Sequence, residues 1–196
     1  MNSICDPGDE VIIPEPFYAN YNGFAHASDV KVIPVTSKIE DNFALPSLES
    51  FEKKINKRTK AILICNPCNP TGYVYSKEEI ISIANLAKKN DLFIVVDEVY
   101  REFIYTDLKH YSILEDKMFF DNAILIDSTS KRYSLCGARI GFIVSKNSKF
   151  IETCLKFALA RLSPPTLALI AANKALKTDQ KYIDGVISEY SHRREV

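Results

Sequence analysis

The sequence predicts an α/β fold: a mainly parallel sheet with helices on both faces, in three αβα layers. Short apolar runs such as Ala61–Cys65, Leu92–Val96 and Ala123–Ile126 lack the apolar–polar alternation of a half-wet strand, as strands covered on both faces do. Segments with helical periodicity lie between such runs, the pattern of parallel strands joined by crossover helices. A hydrophobic share of 46%, with 11% aromatic, in 196 residues supplies a core and excludes intrinsic disorder.

Val11-Ile12-Ile13 reads as a first short strand and Val30 to Val35 as a second. Ser47 to Asn56 reads as a helix with Leu48, Phe51 and Ile55 on one face. Ala61 to Cys65 is a buried strand. Ser76 to Asn90 is the clearest helix: Ser76 and Glu79 form a capping box, Ile80, Ile83, Ala84 and Ala87 give the apolar stripe, and Lys88 and Lys89 sit in the last turn, where cations complement the dipole. Leu92 to Val96, Ala123 to Ile126 and Ile140 to Val144 complete the strands. From about Asn147 the pattern is helical, over Ser148 to Leu162, Thr166 to Lys177, and Lys181 to the end.

The 25 Lys and Arg balance 25 Asp and Glu, which argues against a nucleic-acid or other polyanion binder. The basic cluster Lys53, Lys54, Lys57, Arg58 and Lys60 has no interleaved aromatics and reads as a helix end followed by a solvated loop. No uncharged apolar run reaches the ~18 residues of a membrane span. The longest, Leu162 to Asn173, contains Pro164 and Pro165. Met1 to Asp6 shows neither the basic start nor the apolar core of a signal peptide. The expectation is a soluble cytoplasmic protein. Cysteines stand at 5, 65, 68, 136 and 154, too irregular for a disulfide framework. Cys65-Asn66-Pro67-Cys68 has redox or zinc half-site spacing, but no second pair or nearby histidine accompanies it. The plainer reading is that Cys65 ends a buried strand and Cys68 fills a loop, with no metal site.

Ligands of open parallel sheets bind at the carboxyl ends of strands. Polar residues follow three of these strands at once: Asn66-Pro67-Cys68-Asn69-Pro70-Thr71-Gly72, then Asp97-Glu98-Val99-Tyr100, then Asp127-Ser128-Thr129-Ser130-Lys131, with Gly137-Ala138-Arg139-Ile140-Gly141 just beyond. Taken singly, each has an ordinary use as a turn former or helix cap. Together they suit one chemistry. A lysine beside cationic Arg139 can form a Schiff base. Arg139 with the Ser128 and Ser130 hydroxyls suits a phosphate. An aspartate can keep a heteroaromatic nitrogen protonated, and a tyrosine and an asparagine can bond a phenolate oxygen. That is the set of groups pyridoxal 5'-phosphate requires.

The segments Asn66–Gly72 (NPCNPTG), Asp97–Phe103 (DEVYREF) and Ser128–Gly141 (STSKRYSLCGARIG) resemble, in order, the signatures of fold-type I, class I/II pyridoxal-phosphate-dependent aminotransferases. Pro14–Tyr21 resembles the family segment bearing a ring-stacking aromatic, and Leu162–Thr166 the start of the helices after the lysine. The likeness covers nearly the whole chain. It implies Lys131 as the Schiff-base lysine and proton carrier, and Asp97 as the partner of the pyridinium nitrogen. It implies Tyr100 and Asn69 as donors to the ring oxygen, Ser128, Ser130 and Arg139 as phosphate ligands, and Tyr18 as the stacking aromatic. It also implies cis peptides before Pro16 and Pro70.

The implied reaction is transamination between an amino acid, aspartate or aromatic, and a 2-oxo acid. Such enzymes are about twice as long, so the resemblance implies a central piece with weak or no activity by itself. Residues 1–178 would be part of the cofactor-binding large domain and 179–196 the start of the helix leading to a small domain. The family's phosphate-binding glycine turn and substrate-carboxylate arginine would lie outside it, and loss of the flanking segments would uncover apolar surface and drive association, a homodimer. A Cβ–S lyase or decarboxylase of the same fold, or a non-catalytic regulatory domain that binds the cofactor, are alternatives. A nucleotide-binding domain would need G-x-G-x-x-G or G-x-x-x-x-G-K-[ST], and neither occurs.

Overall fold

The computed structural model describes all 196 residues. Six strands form one sheet: β1 (Glu10–Glu15), β2 (Lys31–Thr36), β3 (Thr59–Cys65), β4 (Phe93–Asp97), β5 (Ala123–Ser128) and β6 (Gly141–Val144). Their order is β2-β1-β3-β4-β5-β6. The first five run parallel. β6 is antiparallel to β5, pairing Ser128 with Gly141 and Leu125 with Val144. The connection from Thr129 to Ile140 contains only one α-helical turn, too little for a parallel crossover.

Successive strand residues point to opposite faces, and β1, β3, β4 and β5 are covered on both, whereas the edge strand β6 is largely exposed. Ile12, Ile62, Ile64, Ile94, Val96 and Leu125 pack with Phe51 of α2 (Leu48–Glu52) and with Ile80, Ile83 and Ala87 of α3 (Lys77–Lys89). Val11, Ile13, Ala61, Leu63, Val95 and Ile124 pack with Tyr21 and Ala25 of α1 (Asn20–His26) and Phe150 of α5 (Ser148–Arg161). The result is the expected three-layer arrangement. Ile62, Ile64, Ile94 and Val96 are at most 1% exposed, and burying each such side chain contributes about 1.5–3 kcal/mol against the entropy of ordering the chain.

The Ser76–Glu79 capping box is present, with the Ser76 hydroxyl accepting from Glu79 N and the Glu79 carboxylate accepting from Ser76 N. Two local expectations change. The helix expected over 47–56 ends at Glu52. Beyond it Lys54 and Ile55 make tighter i→i−3 bonds, and the Asn56 side chain accepts from Arg58 N, drawing the backbone into a turn. The basic cluster after it is partly structural: Arg58 pairs with the buried Glu10 at 3.0 Å, and Lys60 lies 3.9 Å from Asp9. The helix α1 is an addition. Asn20, Asn22 and Gly23 are poor helix formers, and no side chain caps its start. Burial of Tyr21 and Ala25 against the sheet holds it instead.

α6 (Thr166–Ala175) and α7 (Gln180–Glu195) follow α5. No helix is long and apolar enough to cross a membrane.

Candidate active site

β1 connects outward to β2, and β3 connects outward to β4 in the other direction. The chain path therefore reverses between β1 and β3, and a crevice opens beyond their carboxyl ends. Register places Cys65 level with Asp97, and Asp97 level with Ile126. The loops after β1, β3, β4 and β5 consequently meet at one edge.

They enclose a cavity of about 320 Å³. All eight residues expected at the site line it: Tyr18, Asn69, Asp97, Tyr100, Ser128, Ser130, Lys131 and Arg139. Tyr21, Cys65 and Asp127 line it as well. A larger adjoining cavity of about 590 Å³ shares Asn69, Tyr100, Ser130 and Lys131 and adds the aromatic walls Phe103, Tyr105 and Tyr190.

Asp97 closes β4 and is half-buried. Its Oδ1 accepts from Val99 N at 3.2 Å and its Oδ2 accepts from the Tyr21 hydroxyl at 2.8 Å. Burial raises its pKa above the ordinary carboxylate range. The Tyr21 and Val99 donors oppose that shift, and the charges of Asp127 and Glu98 add to it. Burial, then the charges nearby, also push the Tyr21 hydroxyl far up, so it stays a neutral donor. Tyr21 is not singled out by the sequence. Its only signal was i, i+3 spacing from Tyr18 on a helix that the sequence marks weakly.

Asn66 is fully buried and builds the wall after β3. Its N–H donates to the Asp97 carbonyl, and its Oδ1 accepts from Tyr75 N. The loop then closes with Cys68 N donating to Tyr73 O and Gly72 N to Cys68 O. Gly72 sits at φ 73°, a conformation that favours glycine. The Glu15–Pro16 and Asn69–Pro70 peptides are cis as expected, and Asn66–Pro67 is a third. Cys65 ends its strand as expected. Its thiol donates to Pro67 O, and burial first, then the Asp97 charge, push its pKa up to about 12. Neither Cys65 nor Cys68 is in a disulfide.

Ser128 ends β5 and caps α4 (Thr129–Arg132), its Oγ accepting from Ser130 N at 3.0 Å. The same Oγ lies 2.8 Å from Ser130 Oγ and 3.0 Å from Ile140 O. Lys131 is exposed to the cavity, with Nζ 5.6 Å from the centroid of the Tyr100 ring. Arg139 adopts a left-handed conformation, φ 57°, uncommon for a side chain of its size, and donates to Cys136 O. Neither Lys131 nor Arg139 has a carboxylate partner among the ion pairs. Tyr18 stands edge-on to Tyr21 at 5.6 Å between ring centroids.

A profile described as "Aminotransferase class I and II" matches residues 2–195. The chain belongs to this family. Among its relatives, an aspartate aminotransferase of Pyrococcus abyssi is 34% identical over 199 residues, covering 100% of this chain and 51% of the relative. A (5-formylfuran-3-yl)methyl phosphate transaminase of Methanocaldococcus jannaschii is 35% identical, covering 100% of this chain and 50% of its own length. The crystal structure of an aromatic aminotransferase from Pyrococcus horikoshii superposes with a TM-score of 0.91 at 34% identity, over 99% of this chain and 52% of that one. The chain thus spans about half the length of the curated relatives it matches.

As an aminotransferase fold, the chain has a donor set suited to pyridoxal 5'-phosphate. Arg139 and two serine hydroxyls suit an anion, the Lys131 amine suits an aldehyde, and the Asp97 carboxylate suits a ring nitrogen.

Asp97 generates a stability prediction. Its folded pKa is raised, so between about pH 3.9, the ordinary aspartate value, and the raised value the folded chain binds more protons than the unfolded one. Stability is then lost as pH rises through that window and is not regained above it. Urea unfolding at stepped pH should show the wild-type chain losing stability relative to Asp97→Asn as pH rises from about 4, the ordinary aspartate value, through the raised pKa. A pH-independent difference would remove the titrating carboxylate from the explanation.

Proposed function

We propose that this chain carries the cofactor-binding part of a pyridoxal-phosphate-dependent transaminase site, which moves an amino group from an amino acid to a 2-oxo acid. The observation that carries this is the pairing of an unpartnered Lys131 amine with the Asp97 carboxylate in one cavity. When bound, the cofactor supplies an aldehyde carbon for an amine and a ring that disperses charge from the substrate α carbon.

In this reading Lys131 Nζ would hold the cofactor at its aldehyde carbon and, once freed by the substrate amine, would be the base that takes a proton at the substrate Cα and gives one back. The Asp97 carboxylate would keep a proton on the ring nitrogen, and Tyr21 orients that carboxylate by donating to Oδ2. Arg139, Ser128 and Ser130 bind the phosphate. Tyr100 and Asn69 would donate to the ring oxygen, and Tyr18 would cover the ring face. Preorganised partners of this kind avoid reorganisation during the reaction.

Relatives named for aspartate and for aromatic amino acids support those two donor classes. The aromatic walls of the adjoining cavity, with Phe103 5.9 Å from Tyr190, support the aromatic one. We assign residues 1–178 to the cofactor-binding large domain and 179–196 to a helix connecting to a small domain, in a cytoplasmic homodimer. The five free cysteines support a reducing compartment. Exposed Leu155, Phe157, Leu159, Leu162, Leu167 and Ile170 of the α5–α6 region support association, since such patches mark interaction surfaces. Sedimentation should give a dimer; a monomer at high concentration would contradict it.

The test of the site is chemical. After incubation with pyridoxal 5'-phosphate and borohydride reduction, peptide mass analysis should find the pyridoxyl group on Lys131. Lys131→Ala should abolish the labelling and the accompanying absorbance band. Labelling spread over surface lysines and indifferent to that substitution would overturn the assignment.

A further inference from the structure

Lys131 is carried by a single helical turn, Thr129–Arg132. One turn cannot hold itself, because nucleation fixes several dihedrals for one hydrogen bond. Its orientation depends on tethers. Two are local: the Ser128 cap, and Thr129 Oγ1 donating to Ile140 O at 3.2 Å.

The third tether is a buried charge cluster. Arg132 follows Lys131 directly and points the other way, with its side chain only 9% exposed. Its Nη2 donates to Asp127 Oδ2 at 2.9 Å, and its Nε lies 2.6 Å from Glu102 Oε1, a charge contact rather than an aligned hydrogen bond. Asp127 Oδ1 in turn accepts from Ser128 N at 2.7 Å. Arg101 lies 3.2 Å from both carboxylates, Nη2 to Asp127 Oδ2 and Nε to Glu102 Oε1. Two cations therefore face Asp127 and Glu102, and Arg101 Nη1 also lies 3.9 Å from the buried carboxylate of Glu98. Burial alone would lower the Arg132 pKa, but Glu102 and Asp127 outweigh it and raise it.

Arg101 and Glu102 belong to the turn at residues 99–102, which also carries Tyr100, and the ring of Tyr100 faces Lys131. That turn is anchored below by Glu98. It is fully buried, accepts from the Ser112 hydroxyl and Ile113 N, and contacts His110 Nε2 at 3.0 Å. The two segments bearing Lys131 and Tyr100 are thus joined by a charge cluster in which Arg132 and Asp127 are buried and Arg101 and Glu102 partly exposed. A guanidinium fork spans two carboxylates at once, which an ammonium cannot do as well.

We propose that Arg132 is a positioning residue that, with Arg101, Glu102 and Asp127, clamps the lysine turn to the Tyr100 turn and so fixes the Lys131 amine in its cavity. The chemical meaning of that position rests on the proposed function; the clamp itself does not.

The test compares the 196-residue chain with Arg132→Met and Arg132→Lys. Without cofactor, amide exchange in residues 99–105 of Arg132→Met should accelerate by about tenfold or more, because removing one partner leaves buried carboxylates unpaired. With pyridoxal 5'-phosphate added, the circular dichroism induced in the cofactor band should weaken in Arg132→Met and partly return in Arg132→Lys. Exchange changes confined to residues 129–133, or a full-strength band in Arg132→Met, would overturn the proposal. Should Arg132→Met fail to fold, Glu102→Gln removes one of the two anions while keeping the shape, and carries the same expectations. A wild-type chain without any induced band would sink the proposed function, and the exchange measurement would still decide the clamp.

Discussion

A carboxylate at the end of a covered strand is the constraint around which this molecule is arranged. Asp97 leaves the sheet where β3 and β5 flank it, and burial disfavours its charge. The fold answers with two donors, the Val99 amide and the Tyr21 hydroxyl. The second comes from α1, so the docking of a weak helix on one face of the sheet is tied to the electrostatics of its edge. Chain reversal between β1 and β3 makes this possible. It brings the segment after β1 against the end of β4, a strand it does not pair with.

The opposite wall is built on another principle. Lys131 and Arg139 keep their charges free of carboxylates, while Arg132, their neighbour in sequence, is fully engaged by Asp127 and Glu102. Separating the cations in this way keeps two of them available to a ligand without leaving the acidic residues beneath unpaired. Burial of the Asp97 carboxylate is the one electrostatic cost of this edge, of the kind functional sites carry.

Much of this was legible in the sequence, for physical reasons. Strands dry on both faces must be apolar throughout, so Ala61–Cys65, Leu92–Val96 and Ala123–Ile126 announced themselves. The polar residues directly after them had to reach one edge once the strands were parallel. The Ser76–Glu79 box is a local interaction and reads locally. What escaped depends on contacts distant in sequence. Tyr21 bonds a residue 76 positions away. α1 forms because its apolar side is buried, not because its residues favour helix. Arg132 reads as one more cation until Asp127 and Glu102 are seen beneath it. The antiparallel turn of β6 follows from a short connection whose length is visible but whose pairing is not. Asn56 stops a helix that periodicity alone would extend.

A crystal structure of the chain grown with pyridoxal 5'-phosphate is the most direct test of the convergence of these loops on one ligand. The expected result is density continuous with Lys131 Nζ, a ring nitrogen within hydrogen-bond reach of Asp97, and the phosphate against Ser128 and Arg139. A cofactor bound elsewhere, or one whose ring nitrogen faces away from Asp97 with Lys131 free, would contradict it.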